Sequence, residues 1–373
     1  MKTLRKGALA VAASTALLMG LVACGSSEES STAEETAAEE TEAAAEEPAA
    51  EEAAADEAAE AAANLKIAMI PKLGNIGYFQ VAWSGAEEAC GELGFECEYL
   101  GPNEITAAAQ VELINSAVQQ GYNAILIAAN DKDALVPALQ AAMDRGVTVV
   151  TYDSDVEAAG RNLFVNQASS EGIAQGLLES TYNLLGGAGD FAILSTTPDA
   201  SNQNVWIDFM KQGLENDPKY ADMNLVTTVY GDDIDDKSTL ETQGLLQNNP
   251  NVKVIVAPTS VGIVSAARFV SSRPEYKGKV FVTGLGLPND MREYITDGSG
   301  AQAALWDVPA LGYLAVYAAA DIASGVTTPT AGSPVPAGKL GDDRQVIDGA
   351  LGPEVVLGPA LVFTEENIGD YDF

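Results

Sequence analysis

Leu65-Lys66-Ile67-Ala68-Met69-Ile70 is a short apolar run; after a glycine-bearing loop comes Gln80–Leu93, apolar at helical spacing and ending at Gly94. The unit repeats as Phe95–Leu100 then Ala107–Gln120 with Gly121, and as Ala124–Ala128 then Asp133–Arg145 with Gly146. A fourth run, Val147–Tyr152, closes the series. The three glycines stand 27 and 25 residues apart, each where a helix needs a left-handed residue to end. Short apolar strands alternating with helices of three to four turns predict right-handed βαβ units and a parallel sheet.

The pattern then restarts. Leu163–Asn166 reads as a strand, Ser169–Leu185 as a helix, and Gly186-Gly187 as a break. A second set follows: strands Phe191–Ser195, Leu225–Tyr230, Val252–Val256 and Val280–Thr283, with helices Asn202–Leu214, Lys237–Gln247, Val261–Val270 and Asn289–Thr296 between and after them. The fold class is therefore α/β, with two doubly wound parallel-sheet lobes. Residues 301–324 read as a return strand and a long helix, Pro309–Ala323, going back to the first lobe. Thr327–Pro359, rich in Pro and Gly, is expected to hold a hairpin and a further crossing. The expected boundaries are 64–165 plus 308–330 for the N-terminal lobe and 166–307 plus 331–373 for the C-terminal lobe.

Ligands of open parallel sheets sit beyond the C-terminal strand ends, so two facing lobes put both sets of ends on one cleft. After the first strand stand Lys72, Tyr78 and Phe79. Lys72 can donate to a ligand oxygen or pair with a cleft carboxylate; the plainer reading is a surface lysine. The aromatics can stack on the C–H face of a sugar ring, or simply pack the helix onto the sheet. After the fourth strand comes Asp153, whose carboxylate can accept two hydroxyl hydrogen bonds from a diol; a cap or turn residue is the alternative. Asn202 and Gln203, in Ser201-Asn202-Gln203-Asn204-Val205-Trp206, can cap their helix and also reach the cleft. Pro258 and Ser260, in Ala257-Pro258-Thr259-Ser260, offer backbone amides and a hydroxyl. Trp306-Asp307, at a crossing, reads as a cleft wall.

Several function classes are excluded. A formal charge of −35 with no histidine opposes binding to nucleic acid, which rests on clustered Lys and Arg. No Gly-x-Ser-x-Gly elbow and no phosphate loop followed by Lys and Ser/Thr is present, so no catalytic residue, cofactor or metal site is expected. The run Asp232-Asp233-Ile234-Asp235-Asp236 lacks the glycine and terminal glutamate of a calcium loop and reads as a solvated segment opening the helix at Lys237. Cys90 and Cys97 read as two free buried thiols, with pairing as the alternative in an exported protein.

The start of the chain has its own pattern. Lys2, Arg5 and Lys6 precede an apolar stretch from Ala8 to Ala23, the order of an export signal. Leu21-Val22-Ala23-Cys24-Gly25 resembles a bacterial lipoprotein cleavage site, which makes residues 1–24 a signal and Cys24 the lipidated first residue. Residues 25–63 are almost entirely Ala, Glu, Ser and Thr, with 13 Glu, Asp56 and no Lys or Arg. Such a segment cannot bury enough apolar surface to order itself. It reads as an acidic disordered tether, with a coil reach of roughly 35 Å.

Taken together, Ile70-Pro71-Lys72-Leu73, Gly77-Tyr78-Phe79, Tyr152-Asp153-Ser154-Asp155, Asn166-Gln167, Asn202-Gln203-Asn204-Val205-Trp206, Ala257-Pro258, Pro288-Asn289, Met291-Arg292, Leu305-Trp306-Asp307-Val308, Glu366-Asn367-Ile368-Gly369 and Tyr371-Asp372-Phe373 resemble the type I periplasmic binding proteins of ABC importers. Within them the likeness is to the branch that binds autoinducer-2 and related small sugars. The resemblance covers about Leu65 to Phe373. It implies two lobes, three crossings and closure on a ligand that is handed to a membrane permease. Lys72, Asp153, Gln203 and Pro258 match the family's ligand contacts by position. Two positions depart: Asn202 stands where autoinducer-2 binders have Asp, and Ser260 where they have a small apolar residue. The implied ligand is autoinducer-2, with a pentose or a deoxyhexose such as rhamnose as the alternative. A sensor subunit without transport is a third reading. The expected partners are that diol-rich or sugar ligand and an ABC permease, for a monomer held at the outer face of the membrane through Cys24.

Overall fold

The computed structural model describes residues 65–300 and 302–373. The expected signal, Cys24 and the acidic tether lie outside the described residues.

The first lobe is built on β1 (Lys66–Ile70), β2 (Glu96–Tyr99), β3 (Ala124–Ile127), β4 (Thr148–Tyr152) and β5 (Leu163–Asn166), with α1 (Gly77–Leu93), α2 (Ala107–Gln119) and α3 (Val136–Met143) between the first four. β1 and β3 are parallel, in register from Ile67–Ala124 to Ile70–Ile127. β3 is buried throughout, because helices cover both faces of the sheet, and so its sequence is a continuous apolar run without alternation. β2 at the edge carries exposed Glu96 and Glu98, as an edge strand must to resist further pairing. α3 is shorter than its apolar pattern, since Pro137 lies in its first turn and suits only a helix start.

The second lobe has β6 (Gly189–Ser195), β7 (Met223–Tyr230), β8 (Val252–Ala257) and β9 (Phe281–Gly284), all parallel, in the order β7-β6-β8-β9. Its helices are α4 (Ser170–Leu185), α5 (Ser201–Asn216), α6 (Asp235–Asn248), α7 (Ser260–Ser271) and α8 (Pro288–Thr296). A bridge from Leu285 to Ala304 adds β10 (Ala303–Leu305), which pairs antiparallel with β13 (Leu361–Phe363).

The chain crosses between lobes three times. It leaves β5 for α4, returns from β10 into α9 (Val308–Ala323), and leaves again from β12 (Gly352–Val356) to β13. α9 packs along α1 with the two backbones nearly touching: a Cβ on Gly312 would lie 1.8 Å from Ala82 O, and one on Gly85 1.8 Å from Pro309 O. Only glycine permits that approach.

The expected boundary of the second lobe is corrected in one place. Residues 331–356 do not belong to it: β12 pairs parallel with β5, and β11 (Ile347–Gly349) pairs antiparallel with β12, which extends the first sheet to the order β11-β12-β5-β4-β3-β1-β2. The free edge of β5 is what receives them. The reading of Cys90 and Cys97 as free thiols is also corrected, for they form a disulfide. Gly94, at φ 74°, ends α1, and Phe95 N–H donates to Cys90 O. The chain thereby doubles back, so that residues seven apart in sequence lie with Cα atoms 6.3 Å apart, within disulfide reach.

The end of β4 is tied to the late strands by charge. Arg161 donates from Nε and Nη2 to the two oxygens of Asp155, both at 2.6 Å, and from Nη1 to Pro353 O at 2.7 Å. Thr151 Oγ1 adds a bond to Asp155 at 2.6 Å. Both charged side chains are nearly enclosed. Arg161→Ala leaves Asp155 buried and without its cation, which costs about 3–5 kcal/mol. Urea unfolding should report that loss, and unchanged stability would remove the pair from the account of how β12 is held.

Candidate functional site

The C-terminal strand ends of the two sheets face one another, and the residues that follow them line one cavity of about 40 Å³. From the first lobe come Lys72, Ile76, Tyr78, Phe79 and Asp153. From the second come Asn202, Gln203, Trp206, Asp233, Pro258, Thr259, Ser260, Leu285, Leu305 and Trp306.

Asp153 is the centre. It follows β4 with φ 62°, and Ser154 N–H donates to Tyr152 O at 2.6 Å, a γ-turn about Asp153. A left-handed non-glycine residue is costly, and Asp is among the few that tolerate it. Tyr78, in the first turn of α1, donates its hydroxyl to Asp153 Oδ1 at 2.8 Å and accepts from Trp306 Nε1 at 2.9 Å. Asn202, in the first turn of α5, donates from Nδ2 to Asp153 Oδ2 at 3.2 Å and to its backbone O at 3.3 Å. Lys72 Nζ donates to Asn202 Oδ1 at 2.9 Å and lies 3.8 Å from Asp153 Oδ2. Contacts between Lys72, Asp153 and Asn202 thus run from lobe to lobe.

The segment that carries Lys72 is itself pinned. Gln110, fully buried on α2, donates to Pro71 O at 3.0 Å and to Ala128 O at 2.7 Å, and accepts from Asn130 N–H at 2.9 Å. Asn130 Nδ2 donates to Lys72 O at 2.9 Å. Gln110 has no pattern in the sequence that marks it as buried, since an amide on a helix reads alike on either face, and Asn130, in the bend after β3, is not among the strand-end residues singled out above.

Across the cavity, Gln203 Oε1 accepts from Ser195 Oγ at 2.7 Å and from Thr196 N–H at 3.0 Å. Its carbonyl is committed, so its amide N–H groups are what it can offer a ligand. Thr259 caps α7 by accepting from Gly262 N–H, and its hydroxyl donates to Asp233 Oδ1. The aromatic wall is continuous: Tyr78 meets Phe79 edge-on at 5.0 Å and Trp306 at 6.1 Å between ring centres, and Trp306 meets Trp206 at 6.1 Å.

Burial pushes the Asp153 carboxyl up, against the pull of Lys72, Tyr78 and Asn202. It pushes Lys72 down, against Asp153 and Asp233. Burial also raises Tyr78, with the Asp153 charge adding to it, so the phenol stays a donor. Asp233 is pushed up to about 6, chiefly by burial, with Thr259 and Lys72 opposing.

Nine of the ten expected contacts come together here; the tenth does not. Asp307 does not line the cavity, because its carboxylate accepts from Ala310 N–H at 2.9 Å and caps α9. The reading of Asp232–Asp236 as a solvated loop is corrected at Asp233, which turns inward at φ 49° and lines the cavity. Trp206 was seen only as part of the α5 run. Among the described residues no group of three His, Cys, Asp or Glu could hold a metal ion. No described helix is long and apolar enough to cross a membrane.

The sequence model of the periplasmic binding protein domain matches residues 67–327. The crystal structure of a sugar ABC transporter from Actinomyces odontolyticus is 46% identical, covers 83% of this chain and 98% of its own, and superposes with a TM-score of 0.67. An ABC transporter solute-binding protein from Clostridium phytofermentas, solved with bound L-rhamnose, is 38% identical over 83% of this chain and 98% of its own, with a TM-score of 0.80. LsrB from Clostridium saccharobutylicum, in complex with AI-2, is 27% identical over 83% of this chain and all of its own, with a TM-score of 0.77. With two lobes, three crossings and a polar cavity between facing strand ends, the chain belongs to the periplasmic binding protein family, as a type I solute-binding protein of ABC sugar importers.

Proposed function

We propose that this protein captures a small, neutral, polyhydroxylated ligand between its lobes and presents it to an ABC permease, while a lipid on Cys24 holds it at the outer face of the membrane. It works as a monomer and performs no chemistry on the ligand. The observation that carries the reading is the array of buried Asp153 and Lys72 with half-buried Asn202, held between the lobes and backed by Tyr78 and Trp306. A carboxylate beside an ammonium offers an acceptor and a donor a few ångströms apart. That is the pattern a vicinal diol satisfies.

Lys72, Asp153, Asn202 and the Gln203 amide supply polar contacts, and Pro258 and Ser260 present the start of α7. Phe79, Trp206 and Trp306 supply the apolar faces that sugar C–H groups pack against. Two ligands come first for testing. Autoinducer-2 follows from the family branch and from the likeness to LsrB. L-Rhamnose is favoured by Asn202, which replaces the carboxylate usual in that branch, and by the higher identity to the rhamnose-bound protein. Closure is a hinge rotation at the three crossings.

Thermal unfolding with autoinducer-2 and a panel of pentoses and deoxyhexoses tests this directly. A ligand at about 1,000 times its dissociation constant stabilises the fold by roughly 4 kcal/mol; no shift with any member of the panel would sink the reading. Asp153→Ala removes at least one charge-assisted hydrogen bond and should weaken binding by about 1.5–3 kcal/mol, read by calorimetry. Small-angle scattering should show a smaller radius of gyration at saturation than without ligand, and equal radii would dispose of the hinge.

A further inference from the structure

The second lobe carries a carboxylate that the family resemblance does not assign. We infer that Asp233 is a ligand contact and specificity determinant, the second-lobe counterpart of Asp153, accepting a hydroxyl of the bound sugar in place of the carboxylate missing at Asn202. This rests on the binding role proposed above and adds to it the demand that the ligand present hydroxyl donors to both lobes.

The geometry comes from the end of β7. The chain passes through Asp232 and Asp233, both left-handed at φ 54° and 49°, before α6 begins at Asp235. The two side chains separate. Asp232 pairs with Lys237, while Asp233 is half-buried against the cavity that Lys72 and Asp153 line from the opposite lobe. The Thr259 hydroxyl donates to Asp233 Oδ1, which leaves Oδ2 for a ligand. Thr259 is in turn oriented by the start of α7, so the carboxylate is held by the framework of the second sheet and not by a loose loop.

Charge explains why a carboxylate is tolerated there. Lys72 faces both Asp153 and Asp233 and favours their ionised forms, whereas the two carboxylates oppose each other and Asp232 adds to that opposition. Burial first, and the Asp153 and Asp232 charges after it, push the Asp233 carboxyl up to about 6 against the Thr259 hydrogen bond and Lys72, and hydroxyl donation by a ligand stabilises its ionised form. The sign follows: binding near pH 6 releases protons, and affinity rises with pH until Asp233 is fully ionised. Asp153 also titrates upward of its ordinary range, so the contribution of Asp233 is read as the difference between wild type and variant.

The experiment is isothermal titration calorimetry of the purified protein from pH 5 to 8, in two buffers of different ionisation enthalpy, with whichever of L-rhamnose and autoinducer-2 the wild type binds more tightly. Asp233→Asn keeps the Thr259 contact and suits left-handed backbone. It should weaken binding about 10- to 100-fold at pH 8 and lose most of the proton release near pH 6. Asp232→Asn, which removes the neighbouring charge outside the cavity, should bind at pH 8 as the wild type does. Matching unfolding transitions without ligand show that the variants are folded. If the wild type binds and Asp233→Asn has the same affinity and pH profile, this inference alone is overturned. If Asp232→Asn weakens binding as much as Asp233→Asn, the effect is one of field and the contact is refuted. If the wild type binds nothing in the panel, the parent reading fails and this one with it.

Discussion

A single buried carboxylate organises this molecule. Asp153 is 5% exposed, and an ion taken that far from water costs several kcal/mol unless it is paired and hydrogen-bonded. Its partners come from separate elements: Lys72 from the loop after β1, Tyr78 from α1 and Asn202 from α5 across the cleft. At 3.8 Å and an effective dielectric of 20, the attraction of Lys72 is about 4 kcal/mol. The desolvation of two ions consumes a sum of that order, so the pair adds little to stability. What it supplies is position: without Lys72 the carboxylate loses its countercharge, and without Tyr78 or Asn202 it is short of a hydrogen bond, so these contacts tie together the strand ends of the two lobes in this structure.

The rest of the first lobe serves that geometry. Gln110 and Asn130 fix the segment before and at Lys72, and Trp306 holds the Tyr78 hydroxyl from the second crossing. α9 then runs from that crossing onto α1, close enough that Gly85 and Gly312 are required. Any rotation of the lobes must bend the three crossings while leaving this contact intact, because α1 and α9 both belong to the first lobe. A rotation of that kind would open and close the cleft between the strand ends without disturbing the α1–α9 contact.

Much of this was legible in the sequence, for physical reasons that can be traced. Gly94, Gly121 and Gly146 all have positive φ, and their spacing marked the βαβ repeat because helix ends have a local chemical signature. β12 left no such trace. Its partner, Phe164 to Asn166 on β5, lies some 190 residues earlier, and a Gly/Pro-rich stretch has no periodicity to say which sheet will accept it. The disulfide was hidden because Cys90 and Cys97 lie on different elements, and only the tight turn at Gly94 shows that they meet. Asp233 was hidden by its neighbours, since an acidic run reads as solvated whichever member of it turns inward.

Asp153 and Asp307 show where residue type stops being informative. Each is an aspartate just past a strand end, following an aromatic residue, and sequence reading gave both the same role. The backbone separates them. Asp307, at φ −70° and ψ 97°, has the extended conformation of an N-cap, and its carboxylate is taken by Ala310 N–H. Asp153, at φ 62°, sits in a turn that starts no helix and keeps its carboxylate for the cavity. Among the described residues the only other non-glycine positions with positive φ are Asp232 and Asp233. Left-handed backbone costs an ordinary residue roughly 1–2 kcal/mol, and glycine would relieve that cost at any of the three. At Asp153 and Asp233 it would also delete the acceptor, so the strain is tolerated where a carboxylate must face the cleft instead of capping a helix.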